Sequence, residues 1–238
     1  MGRAFEFRKA RKMKRWSSMS KTFTKIGKNI VMAVKDGGPN PDTNAKLRAV
    51  IQNARAANMP KENLERAIKK ASSKDTDNFK EVLFEGYAPH GIAILVDAAT
   101  DNNNRTVANV RAAFNKCNGN LSTSGSVVFM FDHVCNFIID TSKFSKTLEE
   151  FELDMIDFEV EELFEEEEGV SLYAPFQHFG AIQNFLESQQ IAILSSGFDY
   201  ISSNTQTLTE EQKTEVEKLL ERLESDDDVQ NVYHSMEE

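Results

Sequence analysis

The sequence predicts an α+β protein in which a small helical domain precedes regions that alternate strands and helices. Three observations support this prediction. Apolar residues recur at helical spacing through the first 74 residues, patterns of buried strands begin after residue 80, and the net charge changes sign between these two parts. The 238 residues, of which 40% are hydrophobic, suffice for two or three domains.

The first predicted helix begins near Ser20 and ends before the Gly-Gly-Pro turn at 37–39. Its apolar residues fall on one face, and its lysines form a stripe about 80° wide on the opposite face. We therefore expect a helix with a core side and a cationic side. The apolar set is Phe23, Ile26, Ile30 and Val34, and the cationic set is Lys21, Lys25, Lys28 and Lys35.

Two more amphipathic helices complete the predicted helical domain. Asn40 with Pro41, and Asn58 with Pro60, are typical pairs of N-cap and first-turn residues. Leucine, isoleucine and alanine then return at helical spacing and give each helix a buried face. Basic residues surround these faces, and several have no acidic neighbour: Lys46, Arg48, Arg55, Lys61, Arg66, Lys69 and Lys70.

The charge of the chain is divided between its two parts. Residues 1–74 hold 19 basic and five acidic residues, a net charge of +14, and residues 75–238 hold nine basic and 33 acidic residues, a net charge of −24. A cationic domain attracts polyanions, and an acidic remainder repels them and orients the encounter. We therefore predict nucleic-acid binding by the N-terminal domain, with a solvated charged surface as the plainer interpretation.

Residues 3–16 extend the basic region and interleave aromatic residues with the charges. The indole of Trp16 is a candidate to stack on a base, with packing against the helices as the alternative. We expect the lysines of the first helix to hold the phosphate backbone while the preceding segment wraps it. The predicted nucleic-acid-binding residues are Arg8, Lys9, Arg11, Lys12, Lys14, Arg15, Trp16, Lys21, Lys25, Lys28, Arg48, Arg55, Lys69 and Lys70.

A buried strand and a helix are predicted after residue 90, in "GIAILVDAAT" and "TVANVRAAFNKC". Asn102, Asn103 and Asn104 lie in the turn that starts this helix, where asparagine caps free backbone N–H groups. The sequence leaves two roles open for the residues of this turn, helix capping and a surface binding site. Arg105 favours the second interpretation, because a cation at a helix N-terminus gains nothing from the helix dipole.

The remaining sequence predicts a second α+β unit and a return to the first. Strand patterns occur in "CNFIID", "GVSLYA" and "IAILS", and a helix pattern in "FQHFGAIQNFLESQQ", which together indicate a βαββαβ unit. Thr209 and Gln212 then form a capping box for a helix that buries Val216, Leu219, Leu220 and Leu223. "VQNVY" is predicted to return this helix to the middle sheet.

Several classes of function are disfavoured. The acid run from Glu149 to Glu168 lacks EF-hand spacing or a His/Cys cluster, so we predict a solvated face and no metal or cofactor. No HExxH, GxSxG or phosphate-loop motif is present, and only a composite active site would make the chain an enzyme. The apolar runs are far shorter than a membrane span, and the two cysteines form no CxxC pair, which favours a reducing compartment.

Five stretches of this sequence resemble the YebC family, which includes the mitochondrial translational activator of cytochrome c oxidase subunit I. They are "FTKIGKNI", "GGPNPDTNAKLRAVIQNARAANMPKENLERAIKKA", "FEGYAPHGIAILVDAATDNNNRTVANVRAAF", "SGSVVFMFD" and "DDVQNVYH". The resemblance spans almost the whole chain. It implies a three-helix domain followed by two α/β-sandwich domains of ferredoxin-like type, one inserted in the other. We expect the helical domain to span residues 1–74, the middle α+β domain to consist of residues 75–133 and 207–238, and the inserted acidic domain to span residues 134–206.

The resemblance also implies a non-enzymatic regulator of gene expression, either a ribosome-associated translation factor or a DNA-binding transcriptional regulator. The lysine stripe suits phosphates better than base edges, which favours ribosomal RNA or sequence-tolerant DNA contact. We expect a monomer without membrane contact, cytoplasmic in a bacterium and in the mitochondrial matrix in a eukaryote. The alternative is an adaptor that binds an acidic partner protein. The family's "TDN" and "NRT" residues imply a second contact surface, formed by Asp101, Asn102, Asn104 and Arg105.

Overall fold

A computed structural model describes residues 21–73, 76–142, 147–160, 163–166 and 169–237. The predicted α+β class is confirmed: a three-helix domain precedes two four-stranded sheets, each with two helices. In chain order the elements are α1 (residues 21–37), α2 (Ala45–Ala56), α3 (Lys61–Ala71), β1 (Lys80–Tyr87), β2 (Ala93–Thr100), α4 (Asn103–Lys116), β3 (Asn120–Leu121), β4 (Phe131–Asp140), α5 (Leu148–Met155), β5 (Leu163–Glu166), β6 (Gly169–Pro175), α6 (Phe179–Ser188), β7 (Ala192–Ser202), α7 (Glu210–Glu224) and β8 (Val229–His234).

The helical domain has one core, in which the apolar faces of α1, α2 and α3 meet. The face predicted for α1 is the buried one, since Ile26, Ile30 and Val34 are all less than a tenth exposed. Leu47 of α2 and Leu64 of α3 pack against them. Helices this short are marginal in isolation, so this shared core stabilises all three.

The predicted N-caps of α2 and α3 are wrong by a few residues. Asn44, not Asn40, caps α2, and its side-chain oxygen accepts the Leu47 N–H at 3.0 Å. The amide nitrogen of buried Asn44 also donates to a backbone oxygen of α1, which fixes the angle between the two helices. Asn58 adopts the left-handed conformation, and Pro60 occupies the position before α3. Both predicted asparagines form turns instead, a role for which the same residue type is suited.

The first sheet is antiparallel, with the strand order β3-β1-β2-β8. Helices α4 and α7 cover one face, where Phe114, Val216 and Leu219 are fully buried or nearly so. The capping box predicted for α7 is present, because Thr209 and Gln212 each accept the other's backbone N–H. The last strand returns α7 to this sheet and pairs with β2, as expected from the sequence.

The second sheet has the strand order β5-β6-β4-β7 and is also antiparallel. Its chain order β4-α5-β5-β6-α6-β7 is the predicted βαββαβ unit. No segments were assigned from the sequence to two elements of this unit, α5 and β5, which overlap the acid run. Helix α5 starts with a capping box formed by Thr147 and Glu150, and it buries Phe151 and Met155 against the sheet.

The helical domain covers one edge strand of each sheet. Beside α2, the side chain of Asn53 donates to Ser196 O at 2.6 Å and accepts from Ser196 N at 2.9 Å, as a neighbouring strand would. Beside α1, Lys25 Nζ donates to Gln230 O of β8 at 2.8 Å. These contacts protect the edges of β7 and β8 from pairing with other chains.

Gly86 of β1 is a position where the fold tolerates no side chain. A Cβ there would lie 2.6 Å from Asn120 O and 2.7 Å from the ring of Phe114. We expect Gly86→Ala to lower the free energy of unfolding by about 1–3 kcal/mol through overpacking, as measured by urea denaturation. The matched control is Gly27→Ala in α1, where a Cβ meets no atom within 4 Å. A neutral Gly86→Ala would contradict this description of the β1–α4 packing.

Candidate nucleic-acid interface

Lys28, predicted to bind phosphate, lies in a buried ion pair with Asp228. Its Nζ donates to Oδ1 of Asp228 at 2.7 Å, to Ala99 O at 3.0 Å and to Asp227 O at 2.8 Å. The side chains of the pair are 9% and 7% exposed. The ring of Phe79 lies 5.1 Å from the same ammonium. Lys28 therefore joins α1 to the first sheet.

The other carboxylate oxygen of Asp228 is also saturated. Arg105 and Thr106 each donate to it at 2.7 Å, and Thr100 donates at 3.4 Å. Burial alone would raise the pKa of Asp228, but hydrogen bonds from Lys28, Arg105 and Thr106 hold it at about 2. We refer to Asp228 with Lys28, Thr100, Arg105 and Thr106 as the Asp228 cluster.

The predicted second contact surface borders this cluster at the start of α4. Asn102 caps the helix, because its Oδ1 accepts the Arg105 N–H at 3.1 Å. The guanidinium of Arg105 pairs with Asp101 at 2.9 Å in addition to Asp228. Asn104 is exposed. Capping thus accounts for Asn102 and the ion pairs account for Arg105, while a binding role for these four residues stays a prediction.

The cationic face of α1 is not the open lysine stripe that its spacing suggests. Lys28 is buried, and Lys25 is partly buried against β8, where burial lowers its pKa. Lys35 donates to the backbone oxygens of Thr76 and Asp77. Lys21 alone among these four is exposed without such a contact in the described chain. The prediction of a solvent-facing stripe is therefore wrong for Lys28, partly right for Lys25 and Lys35, and right for Lys21. The reason is that the first sheet covers part of the side of α1 opposite its own core.

Arg48 also serves a contact between domains. Its Nε donates to Glu187 of α6 at 3.0 Å, and its Nη1 donates to the backbone oxygens of Pro41 and Asp42. This ion pair attaches α2 to the second sheet's domain. Arg48 is only partly exposed, so less of its guanidinium is available to a ligand than the sequence suggests.

Besides Lys21, three of the predicted residues remain exposed on the helical domain. Arg55 lies in the last turn of α2, and Lys69 and Lys70 lie in the last turn of α3. Within the described ranges, none of the three has an acidic partner within 4 Å. Arg66, exposed one turn before Lys70, belongs to the same surface. The seven predicted residues of the N-terminal segment lie outside the described residues: Arg8, Lys9, Arg11, Lys12, Lys14, Arg15 and Trp16.

Asp228 was not among the predicted residues, although it lies in the quoted stretch "DDVQNVYH". Asp97 of β2, also not predicted, faces the junction between the sheets. Burial and the nearby Glu81 raise the pKa of Asp97 to about 6, against the opposing effects of Asn231 and Lys25. Neither aspartate shows a sequence signal, because each depends on residues that are far away in the chain.

Two further properties concern only the described residues. They contain no group of three or more His, Cys, Asp or Glu side chains placed to hold a metal ion. None of their helices combines the length and apolar character needed to cross a membrane.

Comparison with known proteins gives matches over nearly the full chain. Residues 3–74 match the model of the TACO1/YebC protein N-terminal domain, and residues 79–236 match that of the TACO1/YebC second and third domain. Proteins of Flavobacterium johnsoniae and Parabacteroides distasonis, both named "Probable transcriptional regulatory protein", are 67% and 55% identical over 238 residues. These alignments cover 100% of this chain and 100% and 98% of the relatives. The crystal structure of the conserved hypothetical protein Aq1575 from Aquifex aeolicus has a TM-score of 0.77 at 37% identity, covering 92% of this chain and 90% of that one.

The Asp228 cluster should be a large contributor to stability. Asp228→Asn leaves Lys28 buried without its counter-charge, so we expect the free energy of unfolding to fall by about 3 kcal/mol near neutral pH in urea denaturation. Because the folded pKa of Asp228 lies below its unfolded value, this contribution is present above about pH 4 and is lost as the pH falls through about 2.

The control for that substitution is Asp227→Asn, an exposed neighbour that contributes only its backbone oxygen to Lys28. We expect a change within about 0.5 kcal/mol. Equal losses for the two variants would mean that the charge of Asp228 is not what holds α1 to the sheet.

Asp97 should oppose folding at neutral pH. Its folded pKa of about 6 lies above its unfolded value, so stability falls as the pH rises from about 4 through 6 and the buried carboxyl ionises. We expect Asp97→Asn to flatten stability over this range and to raise it by about 2 kcal/mol at pH 7.5. Parallel curves of unfolding free energy against pH for the two proteins would contradict this assignment.

Proposed function

The chain belongs to the TACO1/YebC family, and we propose that it is a non-enzymatic regulator of gene expression that binds nucleic-acid phosphates through α2 and α3. The observation that supports the proposal is that Arg55, Lys69 and Lys70 are exposed and form no ion pair with any described residue, whereas Lys28 and Arg48 are used in contacts between domains. The name shared by the relatives supports a regulatory role. No catalytic step is part of the proposal.

The proposed binding surface runs along α3. At 1.5 Å per residue its 11 residues extend about 16 Å, with exposed Arg66, Lys69 and Lys70 towards one end. Arg55 lies near the other end, because α2 finishes just before α3 begins. Glu62 and Glu65 reduce the charge of the first turns, and Lys61 pairs with Glu65 at 3.7 Å. The C-terminal half of α3 is therefore the more cationic part.

Side-chain chemistry favours phosphate contact over base reading. Two of the four exposed cations, Lys69 and Lys70, are lysines, which act as point charges, and within the described residues the surface lacks a row of Asn and Gln side chains directed at base edges. We favour RNA within a large assembly such as the ribosome, with sequence-tolerant DNA binding as the second candidate. The net charge of −24 in residues 75–238 would repel phosphates from the other domains and keep the contact on one side.

Reversing the charge of the surface should remove binding without unfolding the protein. We expect the triple variant Arg55→Glu, Lys69→Glu and Lys70→Glu to lower affinity for duplex DNA and for ribosomal RNA at least tenfold. The slope of log affinity against log salt should also shrink in magnitude by about 2–3, since each phosphate contact contributes about 0.7–0.9. Fluorescence anisotropy at several salt concentrations measures both quantities.

The control variant reverses three exposed cations on the first sheet's helices: Lys116→Glu, Lys218→Glu and Arg222→Glu. It has the same change in net charge but leaves the helical domain intact. If this variant loses as much affinity as the first, or if the first loses none, the proposed surface is wrong. Thermal unfolding of both variants should stay close to that of the unchanged protein, because none of the six residues is buried.

Sedimentation of a cell lysate through sucrose at near-physiological salt tests the choice of nucleic acid. Migration with ribosomal particles that is lost in the α2–α3 triple variant would support a translation factor. Retention on chromosomal DNA, with the protein otherwise at the top of the gradient, would support transcriptional regulation.

A further inference from the structure

Three side chains form a column of stacked rings beside the junction of the two sheets. Tyr200 of β7 and His133 of β4 are register partners, and their ring centroids are 4.5 Å apart at an interplanar angle of 9°. Phe176, in the turn after β6, stacks on the other side of His133 at 4.3 Å and 15°. Tyr233 of β8 touches the inner end of the column edge-on, 5.4 Å from Tyr200. The column thus runs from the first sheet to the surface.

The outer end of the column is open. Phe176 is 47% exposed although one face of its ring is covered by His133, so the opposite face and the ring edge supply that exposure. Phe198, 43% exposed, adds a second ring at 5.8 Å from His133 and tilted by 52°. Within the described chain, only His133 stacks on Phe176. A planar group from outside could therefore continue the stack.

The charges around the column are mainly negative. Burial lowers the pKa of His133 while the carboxylate of Glu81 acts to raise it. The carboxylates of Asp97 and Glu81 also raise the pKa of Tyr200, after the larger effect of burial. Lys25 is the cation that acts on Asp97, and its Nζ is already bonded to β8. Residues 134–206, which carry Phe176 and Phe198, contain 15 acidic residues and two lysines.

We propose that the open face of Phe176 is a docking site for an arginine side chain of a basic, extended segment of a partner protein. The guanidinium is planar, stacks on aromatic faces and carries a permanent positive charge that suits the acidic surroundings. Phe198 would border the same side chain, and Glu81 would attract the segment. This site is separate from the phosphate-binding surface of α2 and α3.

A nucleobase is the other planar group that stacks on exposed aromatic rings. Its phosphates would lie on the acidic domain that carries Phe176, next to His133, on which the carboxylate of Glu81 also acts, and these negative charges would repel them. The charge of the site therefore favours the arginine, and base stacking becomes an outcome that the experiment distinguishes.

The test uses the full chain and a fluorescein-labelled peptide that alternates arginine and glycine. We expect Phe176→Leu to weaken binding about fivefold, because leucine retains the apolar contact but lacks the ring face. Phe176→Trp should bind the peptide at least as tightly as the unchanged protein. A lysine–glycine peptide of equal charge should bind more weakly and should depend less on Phe176.

Phe164→Leu is the matched control, since Phe164 is 45% exposed and belongs to the same acidic domain on β5. It should leave peptide binding unchanged. An equal loss in the two leucine variants, or no loss in Phe176→Leu with an unchanged thermal unfolding curve, would overturn the proposal.

Two other occupants give distinct results that would also overturn it. Photocrosslinking of a single-stranded RNA oligonucleotide to Phe176, with competition against the peptide, would identify a base-stacking site. In the second case, a variant that lacks residues 2–16 would bind the peptide more tightly than the full chain, and Phe176→Leu would abolish this gain. That result would mean that the chain's own basic segment, and not a partner protein, fills the site.

Discussion

The attachment of the helical domain to the first sheet depends on one buried carboxylate. Asp228 is almost inaccessible to water, and its charge is tolerated only because Lys28, Arg105 and Thr106 donate to it. These donors come from α1 and α4, and the carboxylate lies just before β8. A buried carboxylate without such donors would be destabilising by several kcal/mol, so the three elements are required together. The orientation of α1 then sets where α2 lies, and Asn53 of α2 pairs with the edge of β7.

Because of such ion pairs, not all of the positive charge in the first domain is available to a ligand. Part of it holds the molecule together: Lys28 serves the first sheet, and Arg48 pairs with Glu187 of the second sheet's domain. The cations on α3 have no such structural partner in the described chain and remain exposed. The basic residues of a domain are thus of two kinds: some neutralise acidic neighbours, and others are available to a ligand. Only the packing of the folded chain shows to which kind a residue belongs.

Elements defined by local chemistry could be predicted from the sequence, and contacts between distant residues could not. The capping box of Thr209 and Gln212 is encoded within four residues, and the apolar face of α1 follows from its spacing. The same spacing identified a lysine face on α1 but could not show that β8 lies against it, since Lys28 and Asp228 are 200 residues apart. Helix α5 was missed because its buried Phe151 and Met155 are surrounded by acids that suggested a solvated run.

The distance in sequence between Lys28 and Asp228 also affects the order in which the parts of the molecule fold. During synthesis Asp228 is made 200 residues after Lys28, so the cluster can close only when all the chain between them has emerged. Until then the ammonium of Lys28 is solvated and β7 and β8 have not both been placed beside the helices. Contacts of such long range slow folding through the entropy of closing the loop between them. A chain truncated before residue 228 would retain α1, α2 and α3 and yet lack the carboxylate that binds α1 to the first sheet, so this truncation should change the packing of the N-terminal helices.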